Sequence, residues 1–205
     1  MPEASTTSVG VEDFFSRWEA SGAAERANYQ LFLSELCDLI AVPRPNPTRP
    51  DDRDNSYVFE RSVIFRHGID QTSAGRIDLY KQGCFVLEAK QGSDRPADNN
   101  SLVVREDEPG WLTSRRGTAV RGTRGWDVAM LKAKGQAEQY ARALPVDGGW
   151  PPFLVVVDVG HAIELYSEFS CSGKAYLPFP DPSSYRIMLA ALEQAREVEA
   201  GCYSI

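Results

Sequence analysis

Apolar residues return at helical spacing in four segments of the chain, and each segment predicts a helix. The clearest is the segment 126–144, where apolar positions recur every three or four residues on one face. Another begins near Ser21, a residue suited to cap a helix, and ends before the proline-rich loop 43–50. The remaining two predicted helices span residues 11–20 and 184–200.

Alternating and continuous apolar runs predict the strands of a sheet. The segment 76–80 alternates polar and apolar residues, as a strand with one buried face does. The segment 153–157 is apolar throughout, which is typical of a strand covered on both faces. Because helices come before, between and after strands, we predict an α/β domain with a mixed central sheet flanked by helices. The other predicted strands span residues 57–59, 63–65, 84–90, 163–169 and 175–177.

Length and composition are those of one globular domain. The 205 residues are 42% hydrophobic and 25% charged, which excludes fibrous and wholly disordered chains and predicts a single domain over residues 1–205. No apolar run is long enough to cross a membrane. The four cysteines form no C-x-x-C pair, so neither a zinc site nor a secreted disulfide framework is expected. We therefore expect a cytoplasmic protein without a membrane partner.

The candidate chemistry lies in two adjacent predicted strands, with Asp78 on the first and Glu88-Ala89-Lys90 on the second. Side chains alternate along a strand, so Glu88 and Lys90 point to one face and Ala89 to the other. The two carboxylates and the Ala89 carbonyl are oxygen ligands suited to Mg²⁺, with Mn²⁺ as a substitute. The Lys90 amine can orient a water or stabilise a phosphorane oxyanion. The residues therefore predict metal-dependent phosphodiester hydrolysis.

The loop between these strands decides whether the carboxylates meet. A three-residue loop, Lys81–Gly83, pairs Asp78 with Val86 and makes it a diagonal neighbour of Glu88 on the same face. A two-residue turn would send the Asp78 side chain to the opposite face. We therefore predict the three-residue loop, with Gly83 in the left-handed conformation.

Two further features point to nucleic acid. Lys132, Gln136 and Tyr140 fall on one helical stripe that could contact phosphate or steady Lys90. Residues 111–142 contain seven bases and two acids, although the whole chain has a net charge of -7, and such a local basic segment suits a nucleic-acid backbone. An ordinary solvated surface is the alternative interpretation of both features. The residues predicted to bind DNA are Arg115, Arg116, Arg121, Arg124 and Lys132.

This set of residues resembles the PD-(D/E)xK nuclease superfamily. Asp78, Glu88 and Lys90 stand at its motif positions, and Gln136 and Tyr140 match the Q-x-x-x-Y pattern of its RecB-like branch. Four longer blocks are similar to the opening of the MmeI-like, type IIL restriction–modification enzymes. The resemblance implies a PD-(D/E)xK restriction-endonuclease-like fold and a Mg²⁺-dependent endonuclease domain acting on double-stranded DNA. The blocks are residues 17–33, 57–60, 75–80 and 85–92.

In that family a methyltransferase that uses S-adenosylmethionine and a target-recognition domain follow the nuclease. This sequence has neither a Gly-rich cofactor loop after an early strand nor an Asn-Pro-Pro-Tyr motif, so no S-adenosylmethionine site is expected in it. A separate methyltransferase or target-recognition chain, and a dimer on DNA, remain open as partners.

Two questions stay open on the sequence alone. In some nucleases of the superfamily another acid completes the metal site, and Glu25, Glu35 and Glu60 are all candidates for it here. The alternative function is a catalytically silent DNA-binding or interaction fragment of such an enzyme. A glycosidase-like hydrolase fits less well, because Lys90 beside Glu88 would lower a carboxyl pKa that an acid catalyst needs raised.

Overall fold

The computed structural model describes residues 6–19, 25–67, 71–93, 119–145, 149–170 and 175–192. Three helices and seven strands lie wholly within these ranges, and a short 3₁₀ turn over Asp52–Asp54 comes before the first strand. The helices are α1 (Thr6–Glu19), α2 (Glu25–Leu39) and α3 (Arg124–Ala143). The strands are β1 (Tyr57–Arg66), β2 (Thr72–Lys81), β3 (Phe85–Lys90), β4 (Phe153–Asp158), β5 (Ala162–Ser167), β6 (Leu177–Pro178) and β7 (Arg186–Met188).

The strands form one mixed sheet in the order β1-β2-β3-β4-β5-β6, with β7 also paired to β5. Only β3 and β4 are parallel among the described pairs, and α3 lies in the connection between them. A parallel pair needs such a crossover, because a short turn can join only antiparallel strands. The predicted mixed sheet flanked by helices is therefore confirmed.

Helices cover both faces of the sheet and bury a core on each. Helix α3 packs on one face through an apolar stripe that includes Met130 and Ala137. Helices α1 and α2 pack on the other face, where Phe32 is fully buried. The neighbouring residues Val156 and Val157 of β4 belong to different cores and are both buried. This confirms the prediction that segment 153–157 is a strand covered on both sides.

The side chains of strand β2 exchange faces at Asp78, so that residues on either side of it that should share a face of the sheet lie on opposite faces. Leu79 packs in the core beneath α1 and α2, whereas Ile77, two residues earlier, packs in the core beneath α3. In a regular strand, residues two apart share a face. Asp78 therefore lies at an interruption of the regular alternation.

Strand β1 makes the same exchange at the same level. Phe59 packs against the α1–α2 core and Val63 belongs to the α3 core. Glu60 between them has a φ of 55°, a left-handed conformation that is uncommon for a residue with a side chain. The register of β1 with β2 places Glu60 opposite Asp78. The exchange thus runs across both strands at the level of two acidic residues.

Some predicted element boundaries are wrong. The two predicted strands 57–59 and 63–65 are one strand, because pairing with β2 continues on both sides of Glu60. The predicted helix 184–200 is wrong at its start, since Arg186–Met188 pairs with β5 as strand β7 and helix begins only at residue 189. Its later part, from residue 193, and the predicted cap Ser21 lie outside the described residues.

Candidate active site

The loop between β2 and β3 brings Asp78 level with Glu88. The loop consists of residues 82–84, and the N–H of Cys84 donates to the Lys81 carbonyl at 3.0 Å to close it. The last pair is Leu79 with Leu87, so Asp78 and Glu88 are the next residues of the two strands. The register pairs are Leu79 with Leu87, Tyr80 with Val86 and Lys81 with Phe85.

The loop agrees with the prediction in length but not in position. It has three residues, and Gly83 has the predicted left-handed conformation with a φ of 65°. The predicted position Lys81–Gly83 is wrong by one residue, because Lys81 still pairs within the sheet. The predicted pairing of Asp78 with Val86 is wrong for the same reason. Asp78 instead lies just beyond the last strand pair, where its side chain reaches the N–H of Ala89.

Asp78, Glu88 and Lys90 meet around one peptide unit of β3. Asp78 Oδ2 accepts a hydrogen bond from the N–H of Ala89 at 2.7 Å. The backbone pairs of β2 with β3 end at Leu79, so the Asp78 carboxylate takes the place of the next strand acceptor. Lys90 Nζ donates to Glu88 Oε1 at 2.6 Å. The predicted shared face of Glu88 and Lys90 is confirmed, and Ala89 packs in the opposite core.

Burial makes this pair of charges strongly interacting. The Glu88 side chain is 3% exposed and the Lys90 side chain 28%. A carboxylate buried to this degree needs a nearby cation or several donors, because removal from water disfavours its charged form. Lys90 supplies that cation and still reaches solvent. The pair is therefore buried at Glu88 and reaches solvent at Lys90.

The predicted supporting residues of α3 lie at the same site. Gln136 Nε2 donates to the Tyr140 hydroxyl at 2.8 Å. Burial raises the pKa of Tyr140, and the negative charges of Glu88 and Asp78 raise it further. Tyr140 is therefore within electrostatic reach of both carboxylates.

The Tyr140 ring is held in place by Phe65 and a glycine. The rings of Phe65 and Tyr140 stack with centroids 5.6 Å apart. A Cβ added to Gly75 would lie 2.6 Å from the Phe65 ring and 2.8 Å from the Tyr140 ring. Only a residue without a side chain fits there, so Gly75 keeps the ring pair against β2.

The three acidic residues that the sequence offers as a further metal ligand lie in different surroundings. Glu35 accepts hydrogen bonds from Arg17 Nη1 and Trp18 Nε1, both at 2.8 Å, and so links α1 to α2. Glu60 lies opposite Asp78 and accepts a hydrogen bond from the Tyr29 hydroxyl. Helix α2 begins at the third candidate, Glu25.

The donor set fits a hard divalent cation with two carboxylates and a carbonyl. The N–H and C=O of one strand residue point to the same side, so the Ala89 carbonyl faces the side from which Asp78 approaches. Oxygen ligands of this kind suit Mg²⁺. Within the described ranges no three His, Cys, Asp or Glu side chains are close enough to share a metal ion.

The residues predicted to bind DNA fall into three groups. Arg115 and Arg116 lie outside the described residues. Arg124, the first residue of α3, and Lys132 are exposed. Arg121 is only 8% exposed at its side chain and forms an ion pair with Asp158 at 3.0 Å. Its guanidinium is therefore engaged inside the fold and is not part of an exposed basic surface.

Asp158 is the residue beside the site that sequence reasoning missed. It is fully buried at the end of β4, where it pairs with Lys90 in the sheet register. Its carboxylate accepts hydrogen bonds from the Gly92 N–H at 2.8 Å and from Trp126 Nε1 at 2.7 Å, besides those from Arg121. It thus joins the ends of β3 and β4 to the start of α3. The sequence signal that could have identified Asp158 is an acidic residue directly after the apolar run 153–157.

Comparisons with known proteins give one family. The family model described as MmeI, N-terminal domain, matches residues 9–200 of this chain. No curated protein and no solved structure matches it. Among the helices of the described ranges, none has both the length and the hydropathy needed to cross a membrane.

Proposed function

Since the chain belongs to the MmeI N-terminal domain family, we propose that it is the Mg²⁺-dependent endonuclease domain of a restriction–modification enzyme. The family relation supports the restriction–modification context. The proposal takes residues 1–205 as one PD-(D/E)xK nuclease domain that hydrolyses phosphodiester bonds of double-stranded DNA. The observation that carries it is the meeting of Asp78, Glu88 and Lys90 around the Ala89 peptide unit.

In this proposal the acids bind the metal. Asp78, Glu88 and the Ala89 carbonyl would hold Mg²⁺, which when bound would lower the pKa of a water and offset charge on the phosphate. Both carboxylates are already held in place, because a backbone N–H binds the Asp78 side chain and the Lys90 ammonium binds that of Glu88.

Lys90 contributes to the chemistry at the phosphorus. Hydrolysis forms a bond from the water oxygen to phosphorus and breaks the bond to the leaving sugar oxygen, and negative charge grows on the phosphate oxygens. An ammonium stabilises this charge and orients the water. Lys90 is more exposed than its partner Glu88, so it can turn towards a phosphate without leaving the site. Tyr140, fixed by Gln136, would stand beside the carboxylates as a positioning residue.

Cleavage of supercoiled plasmid in Mg²⁺ tests the proposal. The wild-type chain should nick or linearise the plasmid, and chelation of the metal should stop it. Asp78→Asn and Lys90→Ala should each lower the rate by about 100-fold or more, as loss of a charge-stabilising group does. Asp54→Asn makes the same acid-to-amide change on the exposed 3₁₀ turn and should cut normally.

The outcomes separate the two functions considered from the sequence. Full activity of Lys90→Ala would contradict the assigned chemistry. Binding of DNA without nicking in either Mg²⁺ or Mn²⁺ would instead identify the silent DNA-binding fragment.

A further inference from the structure

A groove of about 850 Å³ lies between β1 and the C-terminal end of α3. Four arginines and a single aspartate lie in its lining, together with apolar side chains from both elements. Arg53 pairs with Asp51 and Arg61 with Asp52. The arginines that can meet a ligand in the groove are therefore Arg66 and Arg142. The charged lining residues are Asp52, Arg53, Arg61, Arg66 and Arg142.

The wall of the groove contains the buried Arg61. It is 7% exposed, and its guanidinium lies over the Tyr80 ring at 5.8 Å and against the Asp52 carboxylate. Its Nε atom is buried and has no hydrogen-bond partner within the described residues. Through the ring and the carboxylate, the Arg61 guanidinium is therefore engaged inside the fold, as that of Arg121 is, and it supports the wall of the groove.

Arg66 adds a cation at the outer end of the groove. It is exposed and makes no ion pair with any described residue. Arg142, on the opposite wall, is 47% exposed and lies 3.7 Å from Glu138. Between these cations the apolar residues Val63 and Phe65 line the groove. Alternating cationic and apolar surface suits a sugar–phosphate chain, which presents charged phosphates and apolar sugar faces in turn.

The groove lies on the same face of the sheet as the candidate active site. Phe65, in its wall, stacks on Tyr140, which is within electrostatic reach of Glu88. In the register of the sheet, β1 is two strands from β3, a separation of roughly 10 Å. A strand of DNA seated at the acidic pair can therefore continue into the groove.

We propose that this groove binds the sugar–phosphate backbone of DNA, with Arg66 and Arg142 as its phosphate contacts. The inference rests on the proposed nuclease function for the substrate, and it assigns the binding surface to residues other than the basic segment 111–142. An acidic protein segment is the competing occupant, and it would leave DNA affinity unaffected by changes in the groove.

Binding of a fluorescein-labelled DNA duplex, measured by anisotropy over a series of salt concentrations, tests the groove. The measurement is made on the full chain in EDTA, so that cleavage does not interfere. The test variant is Arg66→Gln combined with Arg142→Gln. Each lost phosphate contact reduces the slope of log Kd against log salt by about one, so the double variant should lose about two.

The matched control is Arg17→Gln combined with Arg44→Gln. It removes the same charge from two arginines that are 59% and 58% exposed, on the side of the sheet covered by α1 and α2. Its slope should remain that of the wild-type chain. An unchanged slope in the groove variant, or an equal loss in the control, would overturn the proposal.

The two proposals fail in different ways. If the chain binds DNA through the groove but cuts no plasmid, the groove proposal holds and the nuclease proposal is contradicted. If the chain cuts plasmid but the groove variant binds DNA like the wild type, only the groove proposal is contradicted. A wild-type chain that shows no affinity for the duplex also overturns the groove.

Discussion

The Asp78 carboxylate accepts a hydrogen bond from the backbone N–H of Ala89 at 2.7 Å. Asp78 is the residue of β2 just beyond its last backbone pair with β3. A side chain therefore completes the pairing of the two strands where the backbone of β2 changes course. Because Ala89 lies between Glu88 and Lys90, this hydrogen bond also holds Asp78 beside both residues. The pairing of β2 with β3 and the arrangement of the candidate active site therefore depend on the same hydrogen bond.

The ring pair beside the site gives a prediction about packing. Gly75→Ala should reduce the free energy of unfolding by about 1–3 kcal/mol, because the added carbon would lie within 3 Å of two aromatic rings that must then shift. Urea denaturation measures this. Gly135→Ala in α3 is the control, since its Cβ would meet nothing within 4 Å and alanine favours a helix. It should raise the free energy of unfolding by about 0.5–1 kcal/mol, and equal losses in both variants would contradict the packing argument.

The buried acid of β4 gives a prediction about electrostatics. Asp158→Asn should destabilise the fold by about 3–5 kcal/mol, because it leaves the buried Arg121 guanidinium without its counter-charge. Thermal or urea unfolding measures the loss. Asp38→Asn breaks an ion pair of the same kind with Arg44, but on the exposed surface of the fold, and should change little. Similar small effects of the two changes would show that the Asp158 network does not hold β4 to α3.

Tyrosine ionisation predicts how stability changes at high pH. Burial raises the pKa of several phenols above the ordinary value of 10.0, so the folded state keeps protons that the unfolded state releases. These phenols should therefore contribute no change in the free energy of unfolding below about pH 9, and that free energy should fall as the pH rises through 10 and above. Urea denaturation at several alkaline pH values checks this. The tyrosines are Tyr29, Tyr57, Tyr80, Tyr140 and Tyr166.

Tyr166→Phe provides the control for this pH effect. The Tyr166 hydroxyl donates to the buried Glu164 carboxylate at 2.7 Å, and burial together with this bond raises its pKa strongly. Removing the hydroxyl removes one linked proton, so the loss of stability with pH should become less steep. A slope equal to that of the wild-type chain would contradict the assignment.

The part of the site that sequence could predict is the part that local geometry determines. Glu88 and Lys90 are two residues apart in one strand, and alternation alone places them on one face. The helical spacing of Gln136 and Tyr140 likewise predicts their contact. The loop before β3 was predicted with the right length, but its position depends on which residues pair at its ends. Spacing does not determine that choice, and the register differed by one residue.

Long-range contacts are the part that sequence could not supply. Arg121 resembles any other base in a basic segment, and its burial depends on Asp158, 37 residues later. The exchange of faces at Glu60 needs the pairing of two whole strands to be known. For the same reason the groove beside Arg61 was not predicted, since its walls come from β1 and the end of α3, which are far apart in the chain.

Manganese binding measured by isothermal titration calorimetry tests most directly whether Asp78 and Glu88 form a metal site. The wild-type chain should bind Mn²⁺, and Asp78→Asn should weaken that binding by about tenfold or more, because an amide oxygen carries no full charge. Lys90→Ala should keep the affinity, since it removes a competing cation from Glu88 and no ligand. Equal affinity of Asp78→Asn and the wild-type chain, or no binding by the wild-type chain, would contradict the account.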